Sequence, residues 1–126
     1  MENLKIAAGE RSPEIDFDFA ARRLAIRGES YPEDVAAFYG PVQDALDSFL
    51  ARLDGPLTVE IELIYFNSSS AKALMNLFQA LERAAARGPA VTLRWLYDAE
   101  DDTMKEFGED FAEDFEKVRF ELAERP

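Results

Sequence analysis

The stretch Tyr65-Phe66-Asn67-Ser68-Ser69-Ser70-Ala71-Lys72 decides the fold, because a strand pattern gives way to a helix pattern within it. Before it, residues 57–66 alternate polar and apolar side chains and then run apolar, which is typical of a strand. After it, apolar residues recur at spacings of three and four, which is typical of an amphipathic helix. They are Leu74, Leu77, Phe78, Leu81 and Ala85. The junction therefore presents three hydroxyls where backbone N–H groups are free and the helix dipole is positive, which suits a phosphate.

The same polar residues also have a purely structural interpretation. Asn and Ser are favoured N-cap residues, because their side chains accept hydrogen bonds from the free N–H groups of the first helical turn. One cap needs one residue, whereas Asn67, Ser68, Ser69 and Ser70 are four in a row. We expect one of these four to cap a helix predicted over residues 70–87, and we favour Ser69 and Ser70 because they lie nearer its first turn.

Enzymatic interpretations of this junction lack the required partner residues. The chain has no histidine, so a Ser-His-Asp triad is excluded. The run Ser69-Ser70-Ala71-Lys72 has the Ser-x-x-Lys spacing, but the companion Ser-Asp-Asn and Lys-Thr-Gly motifs are absent. No glycine-rich phosphate loop is present either. We therefore predict no catalytic residue and no cofactor.

Composition narrows the class of protein. The 126 residues predict one domain, residues 1–126, and a hydrophobic fraction of 48% is enough for a packed core. A net charge of −12 argues against nucleic acid and anionic membrane as partners, since both would be repelled. The chain has no cysteine, no signal-peptide pattern and no long apolar run. We expect an acidic, soluble, cytoplasmic protein without structural zinc.

The remaining periodicities predict an α/β fold. Residues 14–28 predict a β-hairpin with one face exposed to solvent. A helix follows that starts in residues 31–34 and is kinked or broken at Gly40-Pro41. Strand, helix and strand in residues 57–97 predict a parallel crossover, so the sheet is mixed. Arg94 is then placed to pair with Glu60 or Glu62 across the sheet. The other predicted strands are 4–7, 14–19, 23–28, 91–97 and 118–122.

The last third of the chain is acidic, with ten carboxylates between Asp98 and Glu116 and Lys105 as the one cation. Apolar residues still recur at helical spacing, which predicts a helix with one buried face. They are Met104, Phe107, Phe111 and Phe115. Carboxylates one turn apart could bind a metal ion or act in acid–base catalysis, but the spacing of a calcium loop is absent. A solvated acidic face is favoured, and we predict no metal site.

Several segments together resemble the SiaC family of bacterial regulatory phosphoproteins. The likeness extends over nearly the whole chain, and its motifs occur in the same order. They are Gly28-Glu29-Ser30-Tyr31-Pro32-Glu33, Phe38-Tyr39, residues 65–72, Trp95-Leu96-Tyr97-Asp98 and Gly108-Glu109-Asp110-Phe111. The strand–Asn-Ser-Ser–helix junction is also similar to the phosphorylation site of STAS-type anti-sigma factor antagonists. The resemblance implies a single STAS-like domain, with a mixed β-sheet and helices mainly on one face.

What the resemblance implies for function is a partner switch. A cognate kinase phosphorylates the Ser or Thr directly after the Asn, and a metal-dependent phosphatase reverses the reaction. The unphosphorylated protein binds and activates a diguanylate cyclase, which raises cyclic di-GMP and promotes biofilm or aggregation. Carried onto this sequence, the acceptor is Ser68, where a family member has Thr, and Asn67, Ser69, Ser70 and Lys72 form the switch region. An anti-sigma factor antagonist and a small carboxylate-dependent hydrolase remain as alternatives.

Overall fold

A computed structural model describes residues 2–126 as a six-stranded mixed sheet and three helices. This confirms the α/β class expected from the sequence. The strands are β1 (Leu4–Ile6), β2 (Glu14–Asp18), β3 (Arg23–Ser30), β4 (Leu57–Phe66), β5 (Val91–Tyr97) and β6 (Arg119–Glu124). The helices are α1 (Val35–Leu50), α2 (Ser68–Ala86) and α3 (Asp102–Ala112).

The strands lie in the sheet in chain order, from β1 to β6. The first three form an antiparallel meander, and β3 to β6 pair in parallel. Each pair of neighbouring parallel strands is connected through one helix. The predicted crossover from β4 through α2 to β5 is thus confirmed. Helices α1 and α2 therefore both begin at the edge where the parallel strands end, and this edge carries the junction at residues 65–72.

The two faces of the sheet differ because side chains alternate along each strand. One face is apolar and buried under the helices, and the other is polar. On the polar face Glu60 lies opposite Arg94, and the Arg94 Nη1 and Glu60 Oε2 atoms are 3.0 Å apart. The predicted ion pair is thus confirmed with Glu60. Since both side chains are partly exposed, it contributes only about 0–1 kcal/mol.

Trp95 on β5 is the centre of the core, with 1% of its surface exposed. Its indole N–H donates to the backbone carbonyl of Met104 at 3.0 Å, which ties α3 to the sheet. Four aromatic rings lie around it, with ring-centroid distances of 5.3–6.4 Å. They belong to Phe66, Phe78, Phe111 and Phe120. Burial of these aromatic side chains joins α2 and α3 to strands β4, β5 and β6 in one core.

Helix α1 differs from its prediction at two points. It begins at Val35, and Asp34 is the N-cap, its Oδ1 accepting a hydrogen bond from the Ala37 N–H at 3.0 Å. Of the kink or break predicted at Gly40-Pro41, the break is wrong, because α1 continues through both residues. A proline ring clashes with the Cβ of the preceding residue in a helix, and glycine has no Cβ. Gly40 therefore lets α1 tolerate Pro41.

The acidic last third of the chain forms a helix, α3, that is shorter than its apolar pattern predicts. Helix α3 ends at Ala112, so Phe115 lies beyond it, where its ring stacks on Phe120. Met104 and Phe111 are buried as predicted, whereas Phe107 is 40% exposed. The closing strand is confirmed as β6, shifted by one residue at its start and two at its end.

Gly108 allows α3 to lie directly against Trp95. A Cβ at this position would be 2.5 Å from the Trp95 Cδ1 atom and 2.7 Å from its Nε1 atom, both inside the core. We expect Gly108→Ala to lower the free energy of unfolding by about 1–3 kcal/mol, although alanine is the better helix former. Urea unfolding would measure this.

The control for this prediction is Glu109→Ala at the exposed neighbouring position, which should change stability by less than about 0.5 kcal/mol. The cost of Gly108→Ala should also shrink in a Trp95→Ala background, because alanine lacks the Cδ1, Nε1 and Cγ atoms that a Cβ at position 108 would meet. An equal cost in both backgrounds would show that the Trp95 contact is not the cause.

A single carboxylate holds the segment between α3 and β6. The Glu82 side chain on α2 accepts hydrogen bonds from the backbone N–H groups of Glu116, Lys117 and Val118 at 2.9–3.2 Å. Burial tends to raise the pKa of Glu82, but the N–H groups of Val118, Lys117 and Glu116 outweigh it and hold the pKa below its ordinary value of 4.5. Charged Glu82 thus stabilises the fold.

The pKa direction predicts how this stabilisation depends on pH. A carboxyl whose pKa is lowered on folding contributes stability above the unfolded-state pKa and loses it as the pH falls through the folded-state pKa. We expect Glu82→Gln to cost about 1 kcal/mol at pH 7, a modest value because the carboxylate is partly exposed. The difference from wild type should vanish as the pH falls well below 4.5. Urea unfolding at several pH values, with Glu106→Gln as control, tests this, and a pH-independent difference would contradict it.

Candidate functional site

A β-bulge in β4 sets up the junction with α2. Gly28 on β3 is paired with Leu63, but Glu29 is paired with Tyr65, so Ile64 is an extra residue in β4. After the bulge, the alternation of inward-facing and outward-facing side chains along β4 is shifted by one residue. Phe66 consequently enters the core, with 6% of its surface exposed, while Ile64 and Tyr65 are about half exposed. Strand β4 therefore ends at Phe66, whose side chain is packed in the core.

Asn67 follows at once and is the N-cap of α2. Its backbone is extended, and its Oδ1 accepts a hydrogen bond from the Ser70 N–H at 2.9 Å. The helix therefore starts at Ser68, two residues before the predicted start. The cap is thus one of the four residues expected, but the preference for Ser69 and Ser70 is wrong, because Asn67 is the residue that keeps an extended conformation while its side chain reaches the first turn.

Ser70 has no exposed surface and belongs to a buried chain of hydroxyls. Ser30 Oγ at the end of β3 donates to Ser70 Oγ at 2.8 Å, and the Tyr39 hydroxyl of α1 lies 2.5 Å from Ser30 Oγ. Burial raises the pKa of Tyr39, partly offset by its hydrogen bond with Ser30, so Tyr39 keeps its proton at neutral pH. The chain of hydroxyls joins β3, α1 and α2.

Ser68, Ser69 and Lys72 are exposed on the first turns of α2. Ser68 and Lys72 are four residues apart and therefore lie on the same side of the helix. The junction thus presents two hydroxyls to solvent and not the three expected from the sequence. Of the predicted switch residues, Asn67 caps the helix, Ser70 anchors it, and the other three face outward.

Sequence reasoning assigned no role to Ser30 and Tyr39. Both lie in segments that carried the family resemblance, Gly28–Glu33 and Phe38-Tyr39. A serine in the last position of a strand and a tyrosine on the apolar stripe of a helix are the signals that were present. Only the fold shows that they meet, since Ser30 and Ser70 are 40 residues apart.

Three features around Ser68 are ones that suit a phosphate. The hydroxyl is solvent-exposed, the helix N-terminus is positive, and Lys72 is one turn away. Within residues 2–126 no three carboxylates are grouped so that they could hold a metal ion.

The match to known proteins decides the family. Residues 6–125 match the model of the SiaC family regulatory phosphoprotein. The chain belongs to the SiaC family. A relative in Pseudomonas aeruginosa strain UCBPP-PA14, an uncharacterised protein, is 40% identical over 114 residues, which is 90% of either chain.

Solved structures of the family have the same fold. SiaC of Pseudomonas aeruginosa is 36% identical, with a TM-score of 0.88 over 98% of this chain and 100% of that one. The crystal structure of the diguanylate cyclase SiaD in complex with its activator SiaC, from the same organism, contains a chain that is 37% identical. Its TM-score is 0.92 over 97% of this chain and 99% of that one.

Family membership establishes a regulatory protein that acts in signalling and is not an enzyme. The hydrolase alternative is therefore wrong. In the part of the chain that the structure describes, no helix is both long and apolar enough to cross a membrane.

Because Ser70 is buried and Ser68 is exposed, alanine substitutions at the two positions should differ in their effect on stability. Ser70→Ala removes a buried acceptor and leaves the Ser30 hydroxyl short of a partner, so it should lower the free energy of unfolding by about 1–3 kcal/mol. Ser68→Ala removes an exposed hydroxyl and should change it by less than about 0.5 kcal/mol. Urea unfolding of both variants measures the difference, and similar values for the two would contradict the buried hydroxyl chain.

Proposed function

We propose that this protein is the phosphorylatable component of a partner switch and that Ser68 is its phosphoacceptor. A cognate kinase phosphorylates Ser68, a metal-dependent phosphatase removes the phosphate, and the unphosphorylated form binds and activates a diguanylate cyclase. The observation that carries the proposal is the contrast between exposed Ser68, directly after the cap, and buried Ser70. Family membership and the role of SiaC as activator of SiaD support the type of partner.

Ser68 is a better acceptor than Ser69 for two reasons. Ser69 lines a groove between α1 and α2, where a kinase has less room to approach. Ser68 is the first residue of α2, so a phosphate on it can reach free backbone N–H groups, and Lys72 lies one turn further along. The protein can therefore carry the modification without unfolding α2.

Switching then follows from electrostatics. A phosphate adds about −1.5 to −2 charges and three acceptor oxygens to a nearly neutral surface. A partner that closes over unmodified Ser68 would have to bury this charge, and an unpaired buried charge costs several kcal/mol. Every ~1.4 kcal/mol corresponds to a tenfold change in affinity, so a loss of about a hundredfold or more is expected.

The same proposal includes the compartment in which the protein acts and the signal that it controls. The kinase, the phosphatase and the cyclase would act on one domain spanning residues 1–126, in the cytoplasm. A chain without cysteine suits a reducing compartment. Cyclic di-GMP output, and through it biofilm formation or aggregation, would rise while Ser68 is unmodified.

Phosphopeptide mapping of the protein isolated from its native cell tests the acceptor. The phosphate should lie on Ser68, and Ser68→Ala should abolish it, whereas Ser69→Ala should leave it in place. Phosphate on Ser69 that persists in Ser68→Ala would overturn the assignment.

Calorimetry with the diguanylate cyclase SiaD of Pseudomonas aeruginosa tests the switch. Ser68→Ala should bind as well as wild type, and Ser68→Asp should bind about a hundredfold more weakly. The matched control is Ser48→Asp, which adds the same charge at an exposed serine of α1 and should bind like wild type. Equal affinities for Ser68→Ala and Ser68→Asp would place the switch elsewhere. Binding to an anti-sigma factor, with none to the cyclase, would favour the anti-sigma antagonist alternative.

A further inference from the structure

Strand β6 forms one edge of the sheet and, among the residues that the structure describes, pairs only with β5. The Arg125 N–H, just after β6, donates to the Tyr97 carbonyl of β5. Backbone groups of successive strand residues point to opposite sides, so those of Phe120 and Leu122 point away from β5. The other edge strand, β1, has three residues, whereas β6 has six. The longer edge is therefore the one with unpaired backbone groups available to a further strand.

The core-facing side chains of β6 are only partly buried. Phe120 lies beside Leu93 and Leu122 beside Trp95 in the sheet. The two residues of β5 are each 1% exposed, whereas Phe120 and Leu122 lie at the margin of the core. The Phe120 ring is stacked on Phe115, with 6.0 Å between the ring centroids. A further strand beside β6 would cover this apolar margin as well as pair the backbone.

The polar face of the same edge carries one cation and one carboxylate. Arg119 and Glu121 are two residues apart, and the Arg119 Nε and Glu121 Oε2 atoms are 3.0 Å apart. Both side chains lie on the same face of the strand. This pattern is complementary to its own copy, because an antiparallel β6 can place its Glu121 opposite Arg119 and its Arg119 opposite Glu121.

We propose that two copies of this protein pair through β6, antiparallel and centred on Phe120. Each Phe120 then lies opposite the other, and the two residues exchange both backbone hydrogen bonds. Arg119 of each copy lies opposite Glu121 of the other, which gives two equivalent ion pairs related by the two-fold axis. The two six-stranded sheets become one continuous sheet.

Charge selects this register. Residues directly opposite each other across an antiparallel pair lie on the same face, so the two-fold axis can pass at Phe120, Glu121 or Leu122. An axis at Glu121 sets two carboxylates directly opposite each other, and like charges in this position are destabilising. An axis at Leu122 sets Arg119 opposite Arg125 of the second copy. Of the three, the axis at Phe120 is the one that pairs opposite charges.

The proposed dimer is weak and leaves the switch region open. One strand of six residues makes a small interface compared with a standard one of about 1,600 Å², and two chains with a net charge of −12 repel each other. We expect a dissociation constant on the order of 0.1 mM. Since the axis reverses the strand direction, the two Ser68 residues lie at opposite ends of the joined sheet. The pairing does not depend on the proposed function.

Sedimentation equilibrium of the full chain, up to about 1 mM protein and in about 0.15 M salt, tests the pairing. Wild type should dimerise, and Arg119→Glu should weaken the dimer at least about tenfold, because it sets two carboxylates opposite each other twice. The double variant Arg119→Glu/Glu121→Arg keeps the net charge and restores the opposite pairs, so its affinity should be within about threefold of wild type.

The matched control is Arg83→Glu at an exposed position of α2, which changes the net charge as Arg119→Glu does and should weaken the dimer less than about threefold. Circular dichroism and urea unfolding check that every variant folds. Wild type that stays monomeric at about 1 mM would overturn the proposal. Equal affinities for Arg119→Glu and wild type, or a double variant as weak as Arg119→Glu, would overturn the charge pairing.

Disulfide cross-linking tests the register independently. The chain has no cysteine, so Arg119→Cys and Glu121→Cys each introduce a single thiol. In the proposed register these two positions face each other across the axis with about 4.5 Å between their Cα atoms, a separation that a disulfide can bridge. A mixture of the two variants should therefore form the mixed disulfide dimer faster than either variant alone forms its own. Faster cross-linking of Glu121→Cys to itself would overturn the axis at Phe120, and no cross-linking in the mixture would overturn pairing through β6.

Discussion

The hydrogen bond from Ser30 to Ser70 joins the first turn of helix α2 to the end of β3, on the same face of α2 that buries its apolar side chains. Both hydroxyls are completely buried, and the Tyr39 hydroxyl completes the chain from α1. Successive residues of a helix are turned by about 100°, so placing Ser70 inward leaves Ser68 and Ser69 outward. A different rotation would leave buried hydroxyls without partners, which is costly. The candidate acceptor, Ser68, is therefore exposed because Ser70 occupies the buried face of α2.

The bulge at Ile64 makes this hydrogen bond possible. A regular strand would have directed Tyr65 inward and Phe66 outward. With one extra residue, Phe66 packs on Trp95 and Ser30 lies opposite Phe66 in the sheet. Asn67 can then turn the chain into α2 with its side chain on the Ser70 N–H. The bulge also leaves Ile64 and Tyr65 exposed beside the start of α2.

Local patterns were enough to predict much of this architecture, and the exceptions have a common cause. Residues 91–97 were predicted as a strand with the bounds observed, and the Glu60–Arg94 pair followed from parallel pairing. The cap could not be narrowed to Asn67 because four capping residues stand in a row, and the choice among them depends on where β4 ends. That end is set by the bulge opposite Gly28, a contact between residues far apart in the chain. The same holds for the burial of Ser70, whose partner is 40 residues away, whereas Ser68 was assigned as the acceptor from the family resemblance.

In the proposed function, phosphorylation of Ser68 controls binding of the effector at the start of α2. The most direct measurement compares authentic phosphoprotein, confirmed by mass spectrometry to carry one phosphate on Ser68, with the unmodified protein in calorimetric titrations of the same diguanylate cyclase. The phosphoprotein should bind about a hundredfold more weakly, and phosphatase treatment should restore the original affinity. Equal affinities before and after phosphorylation would contradict it.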